Sequence, residues 1–308
     1  MQKYEKFAAL CYFCTQINHL IMKRFVTFPA AGLCLLLAAC GPRAAKNAFP
    51  KIDQGGKTAI VAHRGAWNYE QAGFAQNSIA SLAYAQELGL WGTEFDIHLT
   101  ADDQILVFHD NAINGVRLDT VAASTWADYR LPNGETIPTL DEFLTQAEKS
   151  DKTILVCELK SHLYPEREPV LVQRTVNILK AHGLFDPSRV MFIAFSKQIC
   201  DIIARDYPQF SLQFLSALKL AELSPEQLAA DGINGFDYQI KMVQKYPEWV
   251  KEAHERGMST NVWTVDQEEV MQEMIDLGLD AITTNKPVEL RALLGEKEFK
   301  VASSANAQ

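Results

Sequence analysis

Two apolar segments of the chain each carry a pair of charged residues at alternate positions, Glu94 with Asp96 and Glu158 with Lys160. Successive side chains of a β-strand point to opposite faces, so each pair shares one face if its segment is a strand. Carboxylates that converge on one point repel each other and raise one another's pKa values unless a cation lies among them. Oxygen ligands favour a hard divalent ion, so Glu94, Asp96 and Glu158 are candidate ligands for Mg²⁺ or Ca²⁺.

Histidine and arginine residues accompany these carboxylates. His63 and Arg64 follow one apolar segment, and His109 follows another. Imidazoles titrate near neutral pH, so His63 and His109 are candidates for a general base and a general acid. Arg64 and Lys160 supply fixed positive charge that suits a phosphate group. A divalent ion, two cations and two imidazoles together predict phosphoryl transfer to a hydroxyl or to water.

Asn77 and Trp263 are further candidates for substrate binding, and each has a structural alternative. Asn77 stands at the start of a helical segment, where it belongs either to a helix cap or to a group of donors for an anion. Trp263 ends an apolar segment, where it either packs in the core or lines the pocket for the alcohol of the substrate. His98 shares a face with the first carboxylate pair, and we expect it to have a structural role.

Eight β-branched segments alternate with helical segments, the pattern of parallel strands joined by helical crossovers. The predicted strands are 58–62, 92–99, 153–160, 189–195, 210–216, 233–239, 259–265 and 280–284. Eight such repeats in about 230 residues fit a (β/α)8 TIM barrel, with an open doubly wound sheet as the alternative. The active site of a barrel lies at the C-terminal ends of its strands, which is where the candidate residues fall.

Residues 104–108 (QILVF) break this alternation, because only four residues separate them from the strand at 92–99. A parallel crossover needs a dozen residues or more, so we expect a short hairpin insertion after the second strand. The segment that follows His109 predicts no domain of its own. Helices are predicted over 78–88, 140–149, 170–182, 197–206, 247–256 and 268–277.

The N-terminal part of the chain predicts an export signal. Two basic residues precede a 15-residue apolar run at 25–39, which is shorter than the roughly 20 residues that span a bilayer. The run ends in LAACG, which resembles a bacterial lipobox with Cys40 as the lipidated residue; the alternative is an ordinary signal peptide. We expect an upstream extension at 1–21, a lipoprotein signal peptide at 22–39, a tether at 40–56, the barrel domain at 57–297 and a tail at 298–308.

This organisation predicts a protein of the bacterial cell envelope that contacts the membrane only through its lipid anchor, on the periplasmic or surface side, with the outer membrane weakly favoured. Net charge is −9, from 29 basic and 38 acidic residues, which argues against nucleic acid as a partner. A hydrophobic content of 48% excludes a disordered chain. Oligomeric state cannot be read from these features.

The motifs, in this order and spacing, resemble the glycerophosphodiester phosphodiesterase family over residues 58–290. They are HRG (63–65), NS (77–78), EFDIHLT (94–100), HD (109–110), PTL (138–140), ELK (158–160), NVWTV (261–265) and ITTN (282–285). The resemblance implies a TIM barrel that hydrolyses glycerophosphodiesters to an alcohol and sn-glycerol 3-phosphate, with one Ca²⁺ or Mg²⁺ ion. It assigns acid–base chemistry to the two histidines, metal binding to the three carboxylates, and phosphate binding to Arg64 and Lys160.

Several alternatives stay open at this stage. The family usually has Pro-Glu where this chain has Ala75-Gln76, which removes a carboxylate near the pocket. The substrate could instead carry another head group (inositol, lysophospholipid or teichoic-acid-like), or the barrel could bind head groups or glycans without catalysis. The attacking group could be the 2-hydroxyl of the glycerol, through a cyclic phosphate, or water, and either histidine could act first as the acid.

Overall fold

An eight-stranded parallel β-barrel is the centre of the computed structural model, which describes residues 58–295. The strands of this part of the chain are β1 (Ala59–Ala62), β2 (Gly92–Leu99), β3 (Ile105–Val107), β4 (Ala112–Ile113), β5 (Val116–Arg117), β6 (Ile154–Leu159), β7 (Val190–Ala194), β8 (Ser211–Ser216), β9 (Gly235–Gln239), β10 (Ser259–Trp263) and β11 (Ala281–Thr284). The barrel order is β1-β11-β10-β9-β8-β7-β6-β2, and the pairing of β1 with β2 closes it. All eight predicted barrel strands are present, and closure excludes the open sheet.

Helices cover the outside of the barrel. Those of the described chain are α1 (Ile79–Glu87), α2 (Leu140–Ala147), α3 (Glu168–Ala181), α4 (Lys197–Asp206), α5 (Pro225–Ala230), α6 (Ile240–Lys245), α7 (Glu248–Glu255), α8 (Glu268–Leu277) and α9 (Pro287–Leu293), with 3-10 turns at Glu70–Ala72, Leu118–Thr120, Ala123–Trp126 and Pro165–Arg167. All six predicted helices are confirmed. The short helices α5, α6 and α9 are additions to the prediction. Ser78, Thr139 and Ser224 begin α1, α2 and α5 with a side-chain oxygen that accepts a backbone N–H, as a helix cap does.

The interior of the barrel has an apolar side and a polar side. Val61, Val156, Ile193 and Leu215 belong to a buried apolar cluster that is separate from the larger cluster between strands and helices. On β8 to β11 the alternate positions carry the buried polar residues Gln213, Asp237, Asn261 and Thr283. Their neighbours in sequence, such as Phe236 and Val262, belong to the outer cluster, so alternation turns the polar side chains into the barrel.

The predicted hairpin is confirmed, because β3 pairs antiparallel with the end of β2 at Ile97–Leu99. The insertion after it is more organised than the sequence indicated. Residues of this region form their own buried apolar cluster, which includes Leu106, Leu118, Trp126 and Ile137. The insertion, which also contains the β4–β5 ribbon, therefore packs as a small unit beside the barrel mouth.

The expectations for residues 1–21, the signal peptide at 22–39, Cys40, the tether at 40–56 and the tail at 298–308 lie outside the described residues. Within residues 58–295, no helix has both the length and the apolar character that are needed to cross a membrane.

Candidate active site

Three carboxylates from neighbouring strands meet inside one end of the barrel. Glu94 and Asp96 alternate along β2, and Asp96 lies in register with Glu158 on the adjacent β6. The side chains are buried, at 3%, 1% and 8% exposure, and one oxygen from each lies within 4.8 Å of the others. The prediction that these carboxylates lie together is therefore confirmed, and the cluster could hold a metal ion.

The electrostatics of the cluster fit a cation. Burial, together with Asp96 and Glu158, raises the pKa of Glu94 well above its ordinary value. Burial also raises the pKa of Glu158, to about 8. The Glu94 Oε1 atom is buried and has no hydrogen-bond partner within residues 58–295. An unpartnered buried oxygen among three carboxylates matches the oxygen donors that hard divalent ions prefer.

Lys160 lies against two of these carboxylates. Its ammonium nitrogen is 2.8 Å from Glu158 Oε1 and 3.1 Å from Asp96 Oδ1. Burial opposes ionisation of Asp96, but Lys160, His109 and Arg64 outweigh it and hold the pKa of this carboxyl below its usual range. Burial likewise opposes the charge on Lys160, yet the two carboxylates raise its pKa. Lys160 is thus a fixed cation at the mouth of the barrel.

Arg64 is held in an uncommon backbone conformation at the end of β1. Its φ is 55°, a left-handed value, and its N–H donates to Glu94 Oε2 at 2.7 Å. Gly65 follows with φ 80°, and a Cβ there would lie 2.8 Å from the backbone carbon of Ser81. The Arg64 guanidinium donates to Gln76 Oε1 at 2.5 Å. Gln76 is neutral, and Asp96 Oδ2 lies 3.9 Å from Arg64 Nε, so the guanidinium pairs with a carboxylate only at long range and can still attract an anionic ligand.

A chain of side-chain hydrogen bonds holds His63. Its Nδ1 is 2.9 Å from Asn285 Oδ1, which also accepts from the indole N–H of Trp67 at 2.9 Å. Asp266 accepts both the side-chain and the backbone N–H of Asn285, at 2.7 and 2.8 Å. These contacts turn the amide oxygen toward His63, so Nδ1 carries the proton and Nε2 keeps its lone pair. Burial and then Arg64 lower the pKa of His63 to about 4.

His109 has a different setting. Its Nδ1 is 2.7 Å from Asp110 Oδ1, and its side chain is 36% exposed. Burial is the main cause of a pKa below the ordinary value. His98, which is buried beneath it, has its Nε2 3.3 Å from the backbone oxygen of His109. His98 therefore supports the position of His109, in agreement with the structural role expected for it.

The two weaker candidates differ in position. Asn77 is 1% exposed, and its amide donates to Asp96 Oδ2 at 2.8 Å while accepting the Asp96 N–H at 3.1 Å. The structure thus makes Asn77 a support for a carboxylate, and its contact with substrate stays a prediction. Trp263 lines the cavity, packs edge to face against Phe195 at 5.7 Å between ring centroids, and donates its indole N–H to the Asp237 backbone oxygen at 3.0 Å.

One cavity of about 150 Å³ brings the remaining groups together. Seven predicted residues line it: His63, Arg64, Glu94, His109, Glu158, Lys160 and Trp263. The other lining residues include Ile193, Phe195, Leu215, Asp237 and Thr283, which the sequence reasoning did not select. Asn285 and Asp266 were not assigned roles either. The alternation of Asp237 between Phe236 and Tyr238 is the signal that could have turned it into the barrel.

Comparison with known proteins gives a consistent result. Residues 63–289 match the profile described as the glycerophosphoryl diester phosphodiesterase family. A glycerophosphodiester phosphodiesterase of Caldanaerobacter subterraneus subsp. tengcongensis is 28% identical over 252 residues, which are 76% of this chain and 96% of that protein. A glycerophosphodiester phosphodiesterase of Bacillus subtilis is 25% identical over 256 residues, 74% of this chain and 83% of that protein.

Solved structures show the same fold. The crystal structure of a glycerophosphodiester phosphodiesterase from Parabacteroides distasonis superposes with a TM-score of 0.73 at 41% identity, covering 78% of this chain and 97% of that one. A phosphodiesterase from Oleispira antarctica, in complex with its product sn-glycerol-3-phosphate, superposes with a TM-score of 0.66 at 21% identity, covering 79% and 98%. At 21% identity, the similarity to the Oleispira antarctica protein shows a shared fold and no more.

Proposed function

Because this chain belongs to the glycerophosphoryl diester phosphodiesterase family, and so to the phosphoric diester hydrolases, we propose that it hydrolyses glycerophosphodiesters to an alcohol and sn-glycerol 3-phosphate. The observation that carries the proposal is one cavity lined by two imidazoles, Arg64 and two acids, Glu94 and Glu158, of the buried three-carboxylate cluster. A phosphodiesterase of the same fold, from Oleispira antarctica, binds sn-glycerol-3-phosphate as its product.

Glu94, Asp96 and Glu158 would hold one Ca²⁺ or Mg²⁺ ion. When bound, such an ion neutralises charge on the phosphodiester oxygens and on the transition state. Arg64 acts on the same oxygens, because its charged guanidinium donates to the neutral Gln76 and lies 3.9 Å from the nearest oxygen of Asp96. Lys160 adds a second cation at the rim, where it also keeps Asp96 ionised as a ligand.

We assign the general base to His63 and the general acid to His109. Asn285 accepts the Nδ1 proton of His63, so the free Nε2 can take the proton of the attacking hydroxyl or water. The low pKa of His63 keeps this ring neutral at physiological pH. His109, more exposed and paired with the Asp110 carboxylate, is suited to carry a proton to the leaving alcohol.

The test is the release of sn-glycerol 3-phosphate from glycerophosphocholine by the purified protein. We expect turnover that EDTA abolishes and that added Ca²⁺ or Mg²⁺ restores. His63→Ala should remove most of the activity, whereas His254→Ala, a histidine on the outer helix α7, should keep it. Activity that is insensitive to the chelator would contradict the role of the ion, and an unaffected His63 variant would contradict the acid–base assignment.

A groove beside the cavity could determine which leaving alcohol the protein accepts. A groove of about 660 Å³ shares Trp263 with the cavity and includes Lys241, Gln244 and Asp266. Its size permits alcohols larger than choline or ethanolamine, including an inositol, a lysophospholipid or a teichoic-acid-like group. A panel of diesters, scored by the phosphomonoester released, separates these head groups. Binding of all of them with hydrolysis of none would favour a non-catalytic head-group or glycan receptor.

We also propose that the protein is a lipoprotein of the bacterial cell envelope, with Cys40 as the lipidated residue. The support is the sequence alone: a basic start, a 15-residue apolar run and the lipobox-like LAACG. Incorporation of labelled palmitate in cells, with Cys40→Ala as the control, tests the anchor. Separation of inner and outer membranes tests the destination, and label on the Cys40 variant would contradict the assignment.

A further inference from the structure

Asp237 is a buried acid of the cavity that the proposed chemistry does not use. It lies on β9, in register with Leu215 on β8 and Asn261 on β10. The residue is 1% exposed and lines the same 150 Å³ cavity as His63 and Glu158. It is not part of the cluster that could hold a metal within residues 58–295, which consists of Glu94, Asp96 and Glu158.

One oxygen of this acid lacks a partner. Asp237 Oδ1 is buried and has no hydrogen bond within the described part of the chain. The adjacent amide of Asn261 donates to Thr283 Oγ1 at 3.0 Å and also hydrogen-bonds to the Asp237 carboxyl group, but it leaves Oδ1 without a partner among the described residues. A buried polar atom without a partner is unfavourable, and in a cavity wall it marks where a ligand atom can bind. Asp237 therefore presents an open hydrogen-bonding position to the cavity.

The surroundings restrict what fills this position. The cavity wall on this side is formed by Ile193, Phe195, Leu215 and Trp263, which pack well against carbon atoms. A phosphate is disfavoured beside a carboxyl group, and the cations of the site lie with the other acids at Arg64 and Lys160. A hydroxyl can donate to an ionised carboxyl or accept from a protonated one, so it fits in either state. Burial raises the pKa of Asp237.

We propose that Asp237 binds the terminal hydroxyl of the substrate's glycerol and so determines specificity for the polyol half of the diester. This inference rests on the proposed function and identifies the residue that recognises the glycerol of the substrate. With the phosphate at Arg64 and the metal ligands, the middle hydroxyl stays near the phosphate. The terminal hydroxyl then extends along the cavity toward Asp237, whereas a variable leaving alcohol has the groove beside Trp263.

The experiment compares two substrates that differ by this hydroxyl. Glycerophosphocholine is paired with an analogue built on propane-1,2-diol, which keeps the middle hydroxyl and lacks the terminal one. We expect the unaltered protein to prefer the glycerol substrate by at least about 100-fold in kcat/KM. Asp237→Ala should reduce the preference to less than about threefold, mainly through loss on the glycerol substrate. Asp237→Asn, which keeps a hydrogen-bonding group of the same size, should retain part of it.

Ser211→Ala is the matched control, because Ser211 is also buried on a barrel strand and its oxygen has no partner within residues 58–295, but it does not line the cavity. It should leave the preference unchanged. The concentration of Mg²⁺ or Ca²⁺ for half-maximal activity should also be unchanged in Asp237→Asn. Equal losses on both substrates, or no preference in the unaltered protein, would overturn the inference.

A binding measurement separates this inference from the proposed function. Calorimetry compares sn-glycerol 3-phosphate with propane-1,2-diol 1-phosphate and needs no turnover. Inactivity of the unaltered protein on glycerophosphocholine would contradict the proposed function alone, while a preference in binding that Asp237→Ala removes would still support the hydroxyl site. Equal affinity for the two phosphomonoesters would refute it, and circular dichroism of each variant verifies its fold.

Discussion

Replacement of Asn285 tests the orientation of His63. Its side-chain oxygen accepts from both His63 Nδ1 and Trp67 Nε1, at 2.9 Å each. In Asn285→Ala these two N–H groups lose their acceptor, which costs about 1–3 kcal/mol. Since each 1.36 kcal/mol is tenfold in rate, kcat should fall by about 5- to 150-fold if the loss is felt in the transition state.

The charged variant Asn285→Asp gives a result that a purely structural role would not give. A carboxylate at hydrogen-bond distance stabilises the imidazolium and raises an imidazole pKa by about 1–3. The acidic limb of kcat/KM should therefore move from near pH 4 in the unaltered protein to about pH 5–7 in the variant. Below that limb His63 is protonated and cannot accept a proton, so activity is lost as pH falls, while activity at pH 8 is largely kept.

The assay is the pH profile of kcat/KM on glycerophosphocholine at saturating divalent ion. Asn234→Ala is the matched control, because Asn234 also bridges two strands, through the Leu212 N–H and the Phe210 oxygen, but at the opposite end of the barrel. It should lower stability without moving the profile. Superimposable profiles for Asn285→Asp and the unaltered protein, or a kcat for Asn285→Ala within twofold, would refute the reasoning.

Three further predictions concern the ion, the phosphate and the backbone. In ion-free protein the free energy of unfolding should fall as pH rises from 6.5 to about 8, because folded Glu158 still holds a proton that the unfolded chain has released. In calorimetry, Glu158→Gln should reduce this dependence of stability on pH. The same variant should weaken activation by divalent ions by at least about 10-fold. Gln76→Glu should raise KM by about fivefold, since a carboxylate beside Arg64 offsets about 1 kcal/mol of its attraction for phosphate; an unchanged KM would argue against Arg64 as a phosphate ligand. Gly65→Ala should lower the melting temperature by several degrees, because φ is +80° and Ser81 leaves no room for a Cβ; equal melting temperatures would contradict this.

Most of the barrel strands were predictable because they combine buried β-branched residues with a clear end, although β8 and β9 contain no β-branched residue. The predicted bounds of the helix Lys197–Asp206 agree with the structure, because its apolar residues follow a helical period and a serine caps its first turn. The helices Pro225–Ala230 and Pro287–Leu293 were missed because they have only six or seven residues, too few to establish a helical period. The apolar cluster of the insertion depends on contacts between distant residues such as Leu106 and Trp126, which no local pattern reveals.

The same distinction applies to the candidate site. Glu94, Asp96 and Glu158 were predictable because alternation along two strands puts their side chains on one face. Asn285 and Asp266 act on a residue more than 200 positions away, so their spacing relative to His63 carries no signal. Asp237 is a single acid within an aromatic strand segment. Only the structure shows that Asp237 lines the cavity and that one of its oxygens has no partner among the described residues.

The position of Lys160 has a consequence for folding of the protein before an ion binds. Its ammonium lies between two acids of the cluster, so the lysine offsets part of their negative charge where a divalent ion could bind. Because of this compensation, the native structure can form where divalent ions are scarce, and an ion could bind in a later step. A divalent ion bound by these acids would weaken their attraction for the lysine and would leave its side chain available to a phosphate group.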